Sequence, residues 1–440
     1  MAKRYEKYKD SGIAWIGEMP EHWDVFPIKH LCRYEKYSVK TGPFGTQLKG
    51  DDLQESGDVI VYNQKNVIYQ RFDEVRFYVS NQKANELKSF YTQPNDFLIT
   101  SRGTIGRAAI LPNTADMGIL HPCLIALRLN RSKVLDKWLL YFINDTDCFR
   151  TGIQLASNAT TIEVIYTETL KKSLVAIPSI PEQEQIAKYL DWKCGEVDRI
   201  VEVRERQIKL LGELRTSVIS RAVTRGLNPN APLKDSGIDW IGQIPKHWEV
   251  CRFKNFICLI NTPSTCSNKI GLENIESGTA KFLATNSEFE GNGVEFTNGD
   301  IVYGKLRPYL KKVWLSNCSG NAVGDFFVFR VNGNAYNKYI QYLLLSDAFT
   351  SVADGATYGA KMPRVSGDFI LNLRYYIPSV KEQQQIAEYL DKKTAEIDST
   401  INKFKVQIDK LKEYRQALIT EVVTGKIDVR GIEIPTPKNN

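Results

Sequence analysis

The sequence predicts an α+β chain: two pseudo-symmetric, strand-rich α/β globules separated by a long antiparallel two-helix coiled coil. Three observations predict it. Motifs from the start of the chain return in its middle. Two long segments carry an unbroken heptad pattern. The stretches between the repeated marks differ in length while keeping their order of local patterns.

The 440 residues are too many for one hydrophobic core. Apolar residues make up 42% and charged residues 25%, the balance of a globular protein. No apolar run approaches the roughly 18 residues that a membrane helix needs. The stretch Met1 to Lys7 lacks the apolar run of a signal peptide, so a cytoplasmic location is expected. The eight cysteines have no metal-binding spacing and read as reduced thiols. A net charge of +7 permits nucleic-acid binding if it is concentrated on one face; a solvated basic surface with no ligand is the plain alternative.

The first globule, residues 1–180, opens on Lys9-Asp10-Ser11-Gly12-Ile13-Ala14-Trp15-Ile16-Gly17, followed by Pro20, His22 and Trp23. The block returns as Lys234-Asp235-Ser236-Gly237-Ile238-Asp239-Trp240-Ile241-Gly242, then Pro245, His247 and Trp248, in a second globule spanning 228–380. Farther on, Ile177-Pro178-Ser179 returns as Ile377-Pro378-Ser379. The first pair of blocks is offset by 225 residues and the second by 200, so the middle of the second copy is shorter by 25. The middles still correspond. Asp96 to Gly103 and Asp300 to Arg307 each read as a strand entering a turn with a basic residue, Leu124–Leu129 and Phe326–Val331 as a strand pair, and Lys137–Phe142 and Lys338–Leu343 as helices.

Behind each Ile-Pro-Ser comes a segment poor in glycine, 181–227 and 381–425. Apolar residues recur there at alternating steps of three and four. The seam holds Leu190, Val197, Val201, Arg204, Ile208 and Leu211 in the first segment, and Leu390, Ile397, Ile401, Phe404, Ile408 and Leu411 in the second. Pro181 suits a first turn, and Gly226 and Gly425 suit the stops. About 44 residues at 1.5 Å rise give a helix of about 66 Å. An antiparallel register centred on a pseudo-two-fold sets Arg204 on Phe404 as a cation–π pair, Arg215 near Thr394 and Arg415 near Cys194. The alternative is that each helix packs separately on its own globule. Residues 426–440 read as a tail.

Catalytic signatures are missing. There is no phosphate loop, no Asp/Asn-Pro-Pro-aromatic run, no His-Glu-x-x-His and no Gly-x-Ser-x-Gly. His22 and His247 are repeat equivalents between Pro and Trp, a context that suits packing at a domain edge.

Taken in order, the duplicated Asp-Ser-Gly…Trp-Ile-Gly…Pro…His-Trp blocks, Gly42-Pro43-Phe44-Gly45-Thr46-Gln47-Leu48-Lys49, Ser101-Arg102-Gly103-Thr104-Ile105-Gly106, Lys305-Leu306-Arg307-Pro308-Tyr309 and the two Ile-Pro-x-x-x-Glu-Gln-x-x-Ile-Ala helix starts resemble the DNA-specificity subunit of type I restriction–modification systems. The resemblance covers nearly the whole chain. It implies two target-recognition domains, each reading one half of an interrupted site on double-stranded DNA, with the long helices as ruler and dock. It implies two modification (methyltransferase) subunits as partners, carrying S-adenosylmethionine, and restriction (motor-nuclease) subunits that use ATP and Mg. It implies no cofactor and no catalysis on this chain. Two other classes remain: a self-sufficient DNA-modifying enzyme with a divergent site, and a coiled-coil scaffold whose globules bind proteins.

Base readout and phosphate contact need Arg, Lys, Asn or Gln on loops that reach the duplex. In the first globule those are Gln47, Lys49, Gln64, Lys65, Arg102 and Arg107, with Asn158-Ala159-Thr160-Thr161 as a further loop. In the second they are Lys305, Arg307, Tyr309, Lys311, Lys312, Tyr358, Lys361 and Arg364. Arg307 is expected to pair with a base and Lys312 with a phosphate.

Overall fold

The computed structural model describes residues 3–74, 77–157, 164–238, 240–264 and 266–435. The chain divides into two compact units. One comprises residues 3–202 with 407–435, the other 203–406. Each therefore takes one half of each long helix, Ile180–Arg225 and Val380–Val423.

Both units are built on the same plan. In the first, the antiparallel sheet order is Val39–Thr41, Leu124–Leu127, Phe97–Thr100, Ala108–Ile110. In the second it is Ile257–Ile260, Phe326–Val331, Ile301–Gly304, Val313–Leu315. Beside each lies a smaller sheet with one parallel pairing: Val61 and Tyr62 with Ile119 and Leu120, and Lys269 and Ile270 with Asn321 and Ala322. A two-stranded ladder then leads into each long helix, Asp24–Pro27 with Leu174–Ile177 and Glu249–Arg252 with Arg374–Ile377.

The repeated motifs turn out to be joinery. The Asp10 carboxylate accepts the Gly12 N–H at 2.9 Å, and Ser11 Oγ accepts the Ile13 N–H at 3.1 Å, closing the turn after strand Tyr8–Asp10. Asp235 and Ser236 repeat both bonds at the same distances. Gly12 and Gly237 sit at φ +68° and +66°, a region that a side chain would strain. His-Trp and Glu-Gln form one clamp. Glu182, in the first turn of its helix, accepts Trp23 Nε1–H at 3.1 Å and Tyr5 O–H at 2.7 Å, and lies 2.8 Å from His22 Nε2. Glu382 holds Trp248 at 3.1 Å and His247 at 2.9 Å. Gln183 and Gln383 each accept a backbone N–H, from Leu135 and Tyr336, and each donate to the carbonyl of Pro178 or Pro378.

The helix ends are core, not appendage. In the first unit Ile186, Leu190 and Cys194 share one apolar cluster with Leu418, Ile419, Val422, Trp23 and Trp138. In the second, Ile219 and Val223 share one with Ile386, Leu390, Trp248 and Tyr339. Each unit's core thus binds antiparallel halves of both helices, and neither helix packs on a single globule. Leu190, Val197, Leu390, Ile397 and Ile408 are buried, while Val201, Arg204, Ile208, Leu211, Ile401, Phe404 and Leu411 are half-buried. The Arg204 guanidinium stands 4.6 Å from the Phe404 ring centroid.

Arg215 has partners that its place in the helix register does not name. Beyond the expected neighbourhood of Thr394, whose hydroxyl shares Tyr342 with it, Arg215 is buried and makes three hydrogen bonds. It donates to Asp398 at 3.1 Å and to the carbonyls of Gly278 at 2.8 Å and Thr279 at 3.2 Å, tying the helix pair to a loop of the second globule. Arg415 plays the matching part in the first unit, reaching Asp145 at 3.3 Å and Asp198 at 3.4 Å beside Cys194. The described part of the tail is also structured. The Asp428 N–H donates to the Lys3 carbonyl at 2.8 Å, Gln185 Nε2 donates to the carbonyls of Val429 and Ile432, and Val429 is buried.

Candidate nucleic-acid interface

The loops expected to reach a duplex leave the first unit at one end of its sheets, gathered around the turn 121–123. The Gly42 N–H donates to Leu124 O at 3.0 Å, Ser101 N–H to Cys123 O at 2.8 Å, and His121 N–H to Tyr62 O at 3.0 Å. Loops 42–50, 63–66 and 101–107 therefore emerge side by side. A Cβ on Gly42 would collide with the His121 carbonyl, and a Cβ on Gly103 would lie 3.2 Å from Gln64 Oε1, so glycine sets both approaches. Burial pushes the His121 imidazole below its usual range and the Cys123 thiol above its own, so the central turn is uncharged near neutral pH. Around it Gln47, Lys49, Lys65 and Arg102 are exposed, and Gln64 is half-buried.

Arg107 does not belong with them. Its guanidinium donates to the Asn144 carbonyl at 3.0 Å, closing the end of helix Asp136–Asn144. Residues 158–161 lie outside the described residues. Phe44, in its Gly-Pro-Phe-Gly setting on loop 42–50, is 76% exposed.

The second unit repeats the arrangement with different chemistry. Val323 N–H donates to Ile270 O and Lys305 N–H to Asp325 O, both at 2.9 Å, so Asp325 takes the place of Cys123. Arg307 takes the place of Gly103. Gly103 sits at φ +70°, and Arg307 keeps the left-handed conformation at φ +51° despite its side chain. That conformation costs about 1–2 kcal/mol. It is held by the Arg307 N–H bond to Pro363 O at 2.8 Å and by Pro308 behind it. The segment 358–364 folds beside it, with Tyr358 and Arg364 exchanging backbone bonds at 3.0 Å. Arg307, Tyr309, Tyr358 and Lys361 are exposed there.

Four of the expected contacts are engaged within the chain. Lys312 Nζ donates to the carbonyls of Leu272 and Ile275 at 2.6 and 2.9 Å, at the end of a 3-10 turn. Lys311 pairs with Asp347. Arg364 makes a bidentate pair with Asp325 at 2.9 and 2.8 Å, and Lys305 Nζ lies 3.9 Å from the same carboxylate. Basic sequence clusters do not announce which charges the fold will consume internally.

Among the described residues no group of three or more His, Cys, Asp or Glu is placed to hold a metal ion, and no helix is long and apolar enough to cross a membrane.

Comparison with known proteins places this geometry. The chain is 22% identical over 436 residues to the type I restriction enzyme MjaVIII specificity subunit of Methanocaldococcus jannaschii, covering 94% of this chain and 95% of that one. It is 24% identical over 278 residues to the EcoDI specificity subunit of Escherichia coli, covering 58% and 62%. Its fold is similar to that of the HsdS subunit from Thermoanaerobacter tengcongensis, with a TM-score of 0.55 at 13% identity, over 93% of this chain and 98% of that one. A structure described as showing complex assembly and conformational transition of the type I R-M system gives a TM-score of 0.67, also at 13% identity, over 92% and 98%. The sequence model described as "Type I restriction modification DNA specificity domain" matches residues 20–208 and again 245–409, and the chain belongs to that family.

Proposed function

We propose that this chain is the non-catalytic, sequence-reading component of a type I restriction–modification assembly. Each unit presents one loop-bearing edge to double-stranded DNA, so that the two edges read the two halves of an interrupted target. The observation that carries this reading is the duplicated edge. In both units, loops rich in Lys, Arg, Gln and Tyr are drawn together around an equivalent turn by equivalent backbone hydrogen bonds.

Within the edges, Gln47, Lys49, Gln64, Lys65 and Arg102 are the contacts proposed for the first half-site. Arg307, Tyr309, Tyr358 and Lys361 are those proposed for the second. Arg307 is suited to a guanine edge, because the guanidinium offers a planar fork and its backbone is fixed. Chemistry belongs to partners: two modification subunits bringing S-adenosylmethionine, and motor-nuclease subunits bringing ATP and Mg, in the cytoplasm. Docking is supported by Val203, Leu210 and Leu214, which the first long helix leaves exposed outside its seam.

The test is reconstitution. Full chain combined with its modification subunits is expected to methylate adenines in a two-part sequence, read by genome-wide methylation sequencing. Replacing the loops of one unit should change one half of that sequence only. Methylation that ignores such replacement would overturn the reading. Methyl transfer by the purified chain alone would favour the self-sufficient enzyme.

A further inference from the structure

The two loop edges share a backbone plan but not an electrostatic one. At the centre of the first stands Cys123, and at the equivalent place in the second stands Asp325. Asp325 is not buried; its side chain retains 21% of its exposure, and those of its partners Arg364 and Lys305 retain 33% and 28%. A half-exposed ion pair adds little stability. Its consequence lies elsewhere. A carboxylate on a DNA-facing edge repels phosphates and occupies two cations that would otherwise meet them. The Arg364 guanidinium holds the Asp325 carboxyl below the usual carboxylate range, so the charge persists across the physiological range.

Resting on the DNA-reading function proposed above, we propose that Asp325 limits sequence-independent DNA binding by the second unit, holding Arg364 and Lys305 away from the phosphate backbone so that discrimination falls to Arg307 and its exposed neighbours. Each cation added to a phosphate contact steepens the salt dependence of binding by about 0.9 log units, which is close to tenfold in affinity at ~0.1 M salt. Asp325→Asn keeps the size of the side chain and removes its charge.

The test uses the full chain, a random-sequence duplex and fluorescence anisotropy over a salt series. Asp325→Asn is expected to bind about tenfold tighter at ~0.1 M salt if one cation is released and about sixtyfold if both are, with a slope steeper by about one or two units respectively. Arg364→Gln leaves the carboxylate half-compensated and is expected to bind more weakly than wild type, while Asp325→Asn/Arg364→Gln returns toward wild type. Cys123→Asp asks the same question of the other unit and is expected to weaken binding. Unchanged or weaker binding by Asp325→Asn, with hydrogen-exchange protection of the second unit's strands unchanged, overturns the proposal. If Asp325→Asn lowers that protection, Cys123→Asp decides, and unaltered binding there overturns it. Absence of salt-dependent duplex binding by wild type would instead remove the DNA-reading function itself.

Discussion

Replacing Glu182 by Ala tests whether the two helix-start clamps, which share His-Trp and Glu-Gln, are unequal in strength. Glu182 retains 4% side-chain exposure and serves three donors, whereas Glu382 retains 24% and serves two. Of the donors in the first unit, Trp23 is 0% and Tyr5 4% exposed, so water cannot replace the lost acceptor; His22 is open enough to rehydrate. A buried donor left without a partner costs about 1–3 kcal/mol. Two such donors, less the relief of no longer burying a carboxylate, give about 2–4 kcal/mol for Glu182→Ala. Glu382→Ala orphans only Trp248, which is itself 0% exposed but bonds a carboxylate open to solvent at 24%, for about 1–2 kcal/mol. The expected gap of about 1.5 kcal/mol is roughly tenfold in an opening equilibrium. A chain of two units does not unfold in one step, so a global midpoint would blur the comparison. Hydrogen exchange read by mass spectrometry separates the units. Strands Asp24–Pro27 and Leu174–Ile177 report on the first, Glu249–Arg252 and Arg374–Ile377 on the second. Equal loss of protection in the two variants, or a larger loss with Glu382→Ala, would refute the argument.

Other outcomes follow from the same geometry. Lys312→Met should destabilise the second unit by about 1–3 kcal/mol by freeing the Ile275 carbonyl and removing one of two donors to the Leu272 carbonyl, while leaving the salt slope of DNA binding unchanged. A slope shallower by about one unit would restore Lys312 as a phosphate contact. Arg307→Ala and Arg307→Gly should both weaken specific binding by about 1–3 kcal/mol. Only the glycine variant, freed of the left-handed strain, should gain about 1 kcal/mol over the alanine one in the opening free energy of the second unit read by hydrogen exchange. Asp428 is held below the usual carboxylate range by hydrogen bonds from Arg430. Because its folded pKa is depressed, its contribution is present above the unfolded value of about 3.9 and is lost as pH falls through the folded one. Amide protection at Val429 should therefore hold from neutral pH down to about 5 and weaken below about 4, read by pulsed exchange; weakening near pH 6 would point to another group.

Periodicity and repetition were legible because they are enforced by backbone geometry. The heptad steps marked Ile180–Arg225 and Val380–Val423 to within a few residues, and the Gly226 and Gly425 stops adopt φ +69° and +75°. The correspondence of Asp96–Gly103 with Asp300–Arg307 reappears as the third strand of each four-stranded sheet and the turn after it. What a linear reading could not supply was pairing at a distance. Nothing near Lys312 in sequence names the carbonyls of Leu272 and Ile275, and nothing near Arg364 names Asp325. The register placed Arg215 near Thr394 but could not name its partners at 278, 279 and 398, which come from other segments. Site residues chosen by residue type on loops were therefore sorted only once folding decided which cations were already engaged.

The strap at residues 426–435 has a consequence for biosynthesis. The core of the first unit requires Leu418, Ile419, Val422, Val423, Ile427 and Val429, which leave the ribosome after the whole of the second unit, residues 203–406. The nascent chain must hold its earliest-made strands open until its latest-made helix half arrives, so the unit begun first is finished last. A stop codon or proteolytic nick beyond Gln407 would thus damage the opposite extremity of the polypeptide while sparing the segment between.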